Sequence, residues 1–404
     1  MSMLHKAFVR LIACTFLAAV LLNVNALAST LGDYFEVASG VIPNKVRFSL
    51  SQEAIYRDNI NSSPDKKEGY EFNTGLSVNW MRTFSNLTYG LQGTLNYTYE
   101  TEDTDSDQDG FDWSINPRII GSETFHITSH DQVMISLGST SHNSKVDNSN
   151  TDYTRSTDYH AHILYDLIGM RHIGLATSLD YINTRYSKST YKGYSRQRYG
   201  VSTAPYYKIG SRIRTGIRAS YFETKYSDSD RQDDSNTISI DWFINYMITS
   251  KINATLEAGF GRTTYEGQSR DSHDSGDFTG EYSFRLSYVP NDRMSFQYHT
   301  SYNNEDTFVT SRGGRVSWSN AFGWSWDLST RFSLNNSISI DSKDEKNGST
   351  LDSLEYSYEC RLTYSLSQKC SVYSGYELSN VRFKYENNRN YTENKIRLGL
   401  SYSF

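Results

Sequence analysis

The chain has 404 residues, with 40 Lys and Arg against 46 Asp and Glu, a formal net charge of -6 and a mean hydropathy of -0.62. That balance argues against a nucleic-acid partner, and beyond the amino-terminus no stretch reaches the roughly 18 apolar residues of a transmembrane helix. Yet 14% of the residues are aromatic, with 32 Tyr and only 5 Pro, a composition that suits strands turning every second residue to water.

Residues 1–28 read as a secretory signal peptide. Lys6 and Arg10 form the charged region, residues 11–22 the apolar core, and Ala26-Leu27-Ala28 the cleavage pattern. Leu11–Cys14 also fits a lipoprotein box, but Arg10 leaves no apolar core ahead of it. A short lead, 29–44, precedes a barrel expected over 45–404.

From residue 45 one unit repeats. Val46, Phe48, Leu50, Ala54 and Tyr56 alternate with Arg47, Ser49, Ser51 and Glu53. Tyr70, Phe72, Leu76, Val78 and Trp80 follow, then Leu87 to Tyr99. Strands four and five are the least distinct, because Ile119-Ile120 interrupts the alternation. The pattern resumes and is sharpest at Tyr356, Tyr358, Cys360, Leu362 and Tyr364. The last strand, Lys395 to Phe404, places Ile396, Leu398, Leu400, Tyr402 and Phe404 on one face. This aromatic ending resembles the signal that outer-membrane barrels present to the barrel assembly machinery.

About 18 such segments are expected, forming an all-β, antiparallel, up-and-down transmembrane barrel embedded in outer-membrane lipids. Tight turns near 83–86, 169–172, 210–212, 249–251, 290–292, 327–330 and 367–369 alternate with longer polar loops. That alternation requires two different rims, and an even strand count puts both chain ends at the short-turn rim. A soluble sandwich or propeller also alternates, but with segments about half as long. Aromatics near the strand ends, including Trp80, Tyr207, Tyr246, Trp326 and Tyr302, suit two membrane interfaces. Cys360 and Cys370 are expected to be free. A turn at 367–369 puts Cys370 opposite residue 365, some 17 Å from Cys360 at about 3.4 Å per residue, beyond disulfide reach.

Eighteen strands close to a backbone diameter of roughly 36 Å. Either the pore is wide, or inward side chains or a partner constrict it. The expected lumen face is mostly Ser, Thr, Asn, Gly and Gln. Its charged candidates are Arg214, Arg218, Arg285, Arg315, Arg331, Arg361 and Arg397 against Glu257, Glu281 and Glu359. They read either as selection for an anionic solute or as a solvated wall of paired charges. The inward aromatics Tyr206, Phe222, Phe243 and Tyr373 are too few for a sugar slide.

Asp105, Asp107 and Asp109 open like a calcium loop, but position twelve is Asn116 rather than Glu. They are a weak Ca2+ candidate beside the simpler reading of an acidic loop. His160 and His162 share a face without a third ligand. No nucleophile constellation stands out, so no enzyme activity, catalytic residue or cofactor is expected.

In its Tyr-rich texture, signal peptide, length and aromatic closing strand, the chain resembles the beta-barrel porin 2 family. The resemblance covers residues 45–404 and carries no functional residues. It implies an exit channel for exopolysaccharide or capsular polysaccharide, working with a periplasmic polysaccharide-export lipoprotein. Two alternatives stay open from the residues themselves, a passive diffusion porin for small solutes and a non-conducting structural barrel.

Overall fold

The computed structural model describes residues 46–404 except 60–63, 65, 85–86, 101–109, 123–130, 146–152, 168–171, 188–191, 194, 228–233, 267–278, 306–314, 346–351 and 386–388. The expected signal peptide, the lead and the Asp105–Asp109 loop lie outside the described residues.

Period-2 alternation is realised as eighteen strands. They are β1 (Val46–Arg57), β2 (Gly69–Phe84), β3 (Leu87–Glu100), β4 (Gly110–Ser122), β5 (Asp131–Lys145) and β6 (Tyr153–Leu167). Next come β7 (Ile173–Tyr186), β8 (Arg196–Ile209), β9 (Ile213–Tyr226), β10 (Asp234–Thr249), β11 (Ile252–Glu266) and β12 (Thr279–Asn291). The last six are β13 (Met294–Glu305), β14 (Arg315–Asp327), β15 (Phe332–Glu345), β16 (Ser353–Ser365), β17 (Cys370–Phe383) and β18 (Tyr391–Ser403). Each strand pairs antiparallel with its sequence neighbours, and β18 pairs with β1, so the sheet closes on itself. A strand of 12 residues, the length of β1, spans about 41 Å, enough to cross a hydrocarbon layer of about 25 Å when tilted by about 40°.

The last strand runs further into its loop than alternation indicates. β18 starts at Tyr391, four residues before the expected Lys395. Beyond the lipid both faces meet water, so the apolar pattern fades while the hydrogen-bond ladder continues. β4 passes straight through Ile119-Ile120 and keeps its register with β5.

Three of the short turns share a local device. The hydroxyls of Thr249, Ser329 and Ser367 each accept from the backbone N–H groups two and three residues on. This local bonding favours the turn over continued strand. Gly210, with φ of 64°, takes the left-handed conformation in the β8–β9 turn that a side chain would resist.

The outer face is apolar and uncovered: Phe260 is 64% exposed, Leu398 60% and Ile240 57%. Soluble monomers rarely expose a contiguous apolar patch beyond a few hundred Å². Among the described residues no helix is long and apolar enough to cross a membrane, and the closed ring of strands leaves no sheet edge unpaired, as a bilayer-spanning sheet requires. The inner face carries hydroxyl pairs between directly opposed residues, Ser178–Ser202 at 2.8 Å, Thr237–Thr263 at 2.9 Å and Ser339–Ser357 at 2.7 Å. Cys360 and Cys370 are free thiols, as the hairpin spacing requires.

At the seam, the Phe404 N–H donates to the Phe48 carbonyl at 2.9 Å, and the Phe404 ring meets Tyr402 edge-on at 4.8 Å. Deleting Phe404, or replacing it with Asp, should lower the yield of the compact, heat-modifiable form on cold gel electrophoresis. A wild-type yield would show that the terminal ring is dispensable for assembly.

Candidate functional site

The candidate site is the lumen wall. Its polar character follows from strand parity. Ile396 and Leu398 are 50% and 60% exposed on the outer face, so Lys395 and Arg397 between them face inward, where both bond Glu377 of β17. Lys395 Nζ lies 2.7 Å from Glu377 and 3.4 Å from Glu393. Arg57 of β1 lies 2.6 Å from Glu393 and 3.6 Å from Glu71 of β2. These contacts join β17, β18, β1 and β2 into one ionic chain across the closing seam. Just past β1, Asp58 accepts from the backbone and side-chain N–H groups of Asn394 on β18, at 2.6 and 2.7 Å.

Four of the inward aromatics share a structural explanation. Each ring packs against a glycine directly opposite it on a neighbouring strand, Phe243 only by its ring edge. Tyr206 covers Gly174, Phe222 covers Gly200, Phe243 meets Gly216 and Tyr373 covers Gly399. A Cβ at Gly174 would come within 2.1 Å of the Tyr206 ring, and one at Gly399 within 2.2 Å of Tyr373. Absence of that carbon lets the ring lean on the wall instead of projecting into the lumen. Tyr206 and Phe243 are thereby each left only 3% exposed.

An arginine caps each ring. The Arg214 guanidinium sits 3.6 Å from the Tyr206 ring centre and Arg361 3.7 Å from that of Tyr373, with Arg198 over Phe222 at 4.4 Å and Arg218 near Phe243 at 5.5 Å. The two tyrosine hydroxyls donate to carboxylates, Tyr206 to Asp166 at 2.8 Å and Tyr373 to Glu53 at 3.1 Å. The same glycine–tyrosine–arginine–carboxylate unit therefore occurs on β8 and on β17, half a turn apart in the ring. Both tyrosines lie near the short-turn ends of their strands.

The charged candidates divide accordingly. Arg218 and Glu257 form a two-pronged pair, each contact 3.2 Å. Arg214, Arg361 and Arg397 join the wall units, and Glu281 folds over Gly261. Arg285 is exposed toward the lumen on β12. Arg315 begins β14. Arg331 lies exposed in the turn just before β15, where its N–H donates to the Ser329 hydroxyl and its carbonyl accepts from the Ser365 N–H. Glu359 lines a hollow beside Arg361 and Arg397. His162 bonds Asp180 at 2.6 Å, and no group of three metal-capable side chains occurs among the described residues.

Glu377, Glu393 and Arg57 sit at inward parity and could have been found from alternation alone. Gly174, Gly216 and Gly399 carry no signal until the register is known.

These features define a transmembrane β-barrel of the outer-membrane type with a polar, ion-paired lumen. No family model matches the chain, and no curated protein does. Among solved structures it is similar to Pseudomonas aeruginosa OpdK, crystallised with vanillate, at 10% identity and a TM-score of 0.49 over 90% of this chain and 99% of that one. It is similar to P. aeruginosa OpdQ at 12% identity and 0.49, over 89% and 98%. For Acinetobacter baumannii OccAB3 the values are 10% and 0.48, over 89% and 98%.

Two outcomes test the wall. Gly399→Val drives a side chain into the Tyr373 ring, so it should destabilise the barrel by about 1–3 kcal/mol, as overpacking does. Gly375→Ala, whose Cβ would meet nothing closer than 3.5 Å, should be nearly neutral. The temperature at which each loses its heat-modifiable form measures both. At Asp58, burial disfavours the charge, but the Asn394 N–H groups and Lys66 outweigh it and hold the carboxyl below its ordinary value of 3.8. Its stabilisation is thus fully present above about pH 4 and is lost as pH falls through the lowered value. Asp58→Ala should melt earlier than wild type at pH 7, and the gap should close in stronger acid.

Proposed function

We propose that the protein is an outer-membrane channel through which small hydrophilic solutes diffuse passively. One observation carries the reading: a ring of 18 strands in which inward rings such as Tyr206 and Tyr373 pack against wall glycines. Eighteen strands give a backbone diameter of roughly 36 Å. Side chains that hug the wall take little of that width. Paired charges and hydroxyl ladders make a wall that water and polar solutes wet without strong selection by charge sign.

The exopolysaccharide-export expectation rested on resemblance to the beta-barrel porin 2 family. No family model supports that assignment, and nothing in the wall favours a polymer over a small solute. Diffusion therefore takes its place. In this reading the short turns face the periplasm and the longer loops the exterior.

Purified barrel in planar bilayers should give discrete, non-gated conductance steps in KCl, and proteoliposomes should swell in solutions of small sugars. A barrel that inserts in compact form yet conducts nothing would overturn the reading. In a deletion strain, uptake of small solutes should slow while surface polysaccharide stays normal. Loss of the polysaccharide would restore the export reading.

A further inference from the structure

The β7–β8 connection differs in charge from every other longer loop. Across residues 187–195 it carries Lys188 and Lys192 and no Asp or Glu, whereas each of the other longer connections between strands holds at least one acid. Cations extend into both flanking strands, with Arg185 before the loop and Arg196 and Arg198 after it. In a chain of net charge -6 this is a local reversal of sign.

The described end of the loop is pinned. The Ser195 hydroxyl accepts from the Tyr186 N–H at 3.2 Å, and the Ser195 N–H donates to the Lys192 carbonyl at 3.0 Å. The Ser195 carbonyl accepts from the Ser227 N–H and hydroxyl at 2.8 and 2.9 Å. These bonds fix Lys192 between the ends of β7 and β9. By strand parity Asn183 and Arg185 share the outer face of β7 with Leu179, and Gln197 shares that of β8 with Val201. Below them the Tyr181 and Tyr199 rings meet at 5.2 Å, and their hydroxyls bond Asn183 and Gln197. Outward tyrosines of this kind mark the boundary between hydrocarbon and headgroups. Above that boundary is a depression of about 430 Å³, some fourteen times the roughly 30 Å³ share of one water. Its lining includes Asn183, Arg185, Lys192, Ser195, Gln197 and Ser227.

Both cations of the depression are left for an external anion. Arg185 leans on the Tyr159 ring at 5.6 Å and has no ion pair among the described residues, and neither has Lys192. On the adjoining outer face of β9, Glu223 is held by Lys225 at 2.8 Å. Resting on the orientation in the channel reading above, which turns the longer loops outward, we propose that this depression binds the phosphate-bearing headgroup of an outer-leaflet lipid. Arg185 and Lys192 take the phosphate, and the acyl chains run down past Tyr181 and Tyr199 onto Leu179 and Val201, which are 50% and 40% exposed. Basic groups at headgroup depth attract anionic lipid. Apolar surface directly beneath them selects a phosphate that carries chains over a soluble one.

Native mass spectrometry of the refolded barrel in detergent, titrated with diphosphorylated lipid A and with the same lipid stripped of phosphate, tests this. Wild type should retain the phosphorylated lipid at least tenfold better, and rising salt should weaken the binding. Arg185→Gln combined with Lys192→Gln should weaken it tenfold or more. Lys369→Gln, which removes an exposed cation of the opposite rim, should leave it unchanged. Heat-modifiability confirms that each variant folds. Equal retention of the two lipids, or equal retention by wild type and the double variant, overturns the site. Complete displacement of the lipid by excess inorganic phosphate overturns the lipid assignment in favour of a soluble anion. Labelling of Gly193→Cys on intact cells with an impermeant maleimide, above the wild-type background, reads the orientation, and an unlabelled loop overturns the outer-leaflet assignment. Conductance in phosphatidylcholine bilayers reads the channel separately: a conducting barrel that binds no lipid loses only this site, and one that binds but does not conduct loses only the channel.

Discussion

Everything in this structure depends on satisfying the backbone of β18 and β1 against each other. In hydrocarbon no water is present to accept or donate, so an open sheet edge would cost several kcal/mol for each unpaired group. Closure removes both edges at once. The register from Ser49↔Ser403 to Arg57↔Lys395 supplies the backbone bonds. Side chains then reinforce the join from the inside, Arg57 to Glu393 and Asp58 to Asn394. The ionic chain through Glu377 extends that reinforcement one strand further back.

The lumen wall follows from the same closure. Once inside and outside are fixed, parity sends apolar side chains to lipid and leaves polar ones facing one another across a curved inner surface. Several of the charges there are paired across strands. Arg218 takes Glu257 from two strands away, and Lys395 takes Glu377 from the neighbouring strand. Tyr206, Phe222 and Tyr373 are accommodated because each has a glycine opposite it. The wall is therefore smooth where sequence composition would suggest obstruction.

Fold and address were legible because they depend on local periodicity. Eighteen segments, two free thiols and inward Lys395 and Arg397 can all be read from alternation and turn position. Register was legible only across tight turns. The Ile209–Ile213 turn fixes Phe222 opposite Gly200, and the turn at 367–369 fixes Arg361 opposite Gly375. Pairings made across the longer loops were hidden, since a loop of uncertain bounds leaves the offset free. Tyr206 over Gly174, Phe243 over Gly216, Tyr373 over Gly399 and Arg397 beside Gly375 are all of that kind.

The β1–β18 seam also governs how the barrel must form. Every other neighbouring pair joins segments adjacent in sequence, but this one brings Phe48 to Phe404 and closes a loop of nearly the whole chain. Joining ends that far apart costs roughly 4 kcal/mol more chain entropy than closing a four-residue hairpin. Contacts of such high sequence separation form late. A growing hairpin array therefore has two unsatisfied edges until its last strand arrives, and no shorter intermediate can rest stably in lipid. Synthesis and insertion are uncoupled by topology: the chain must be finished before the membrane can hold it.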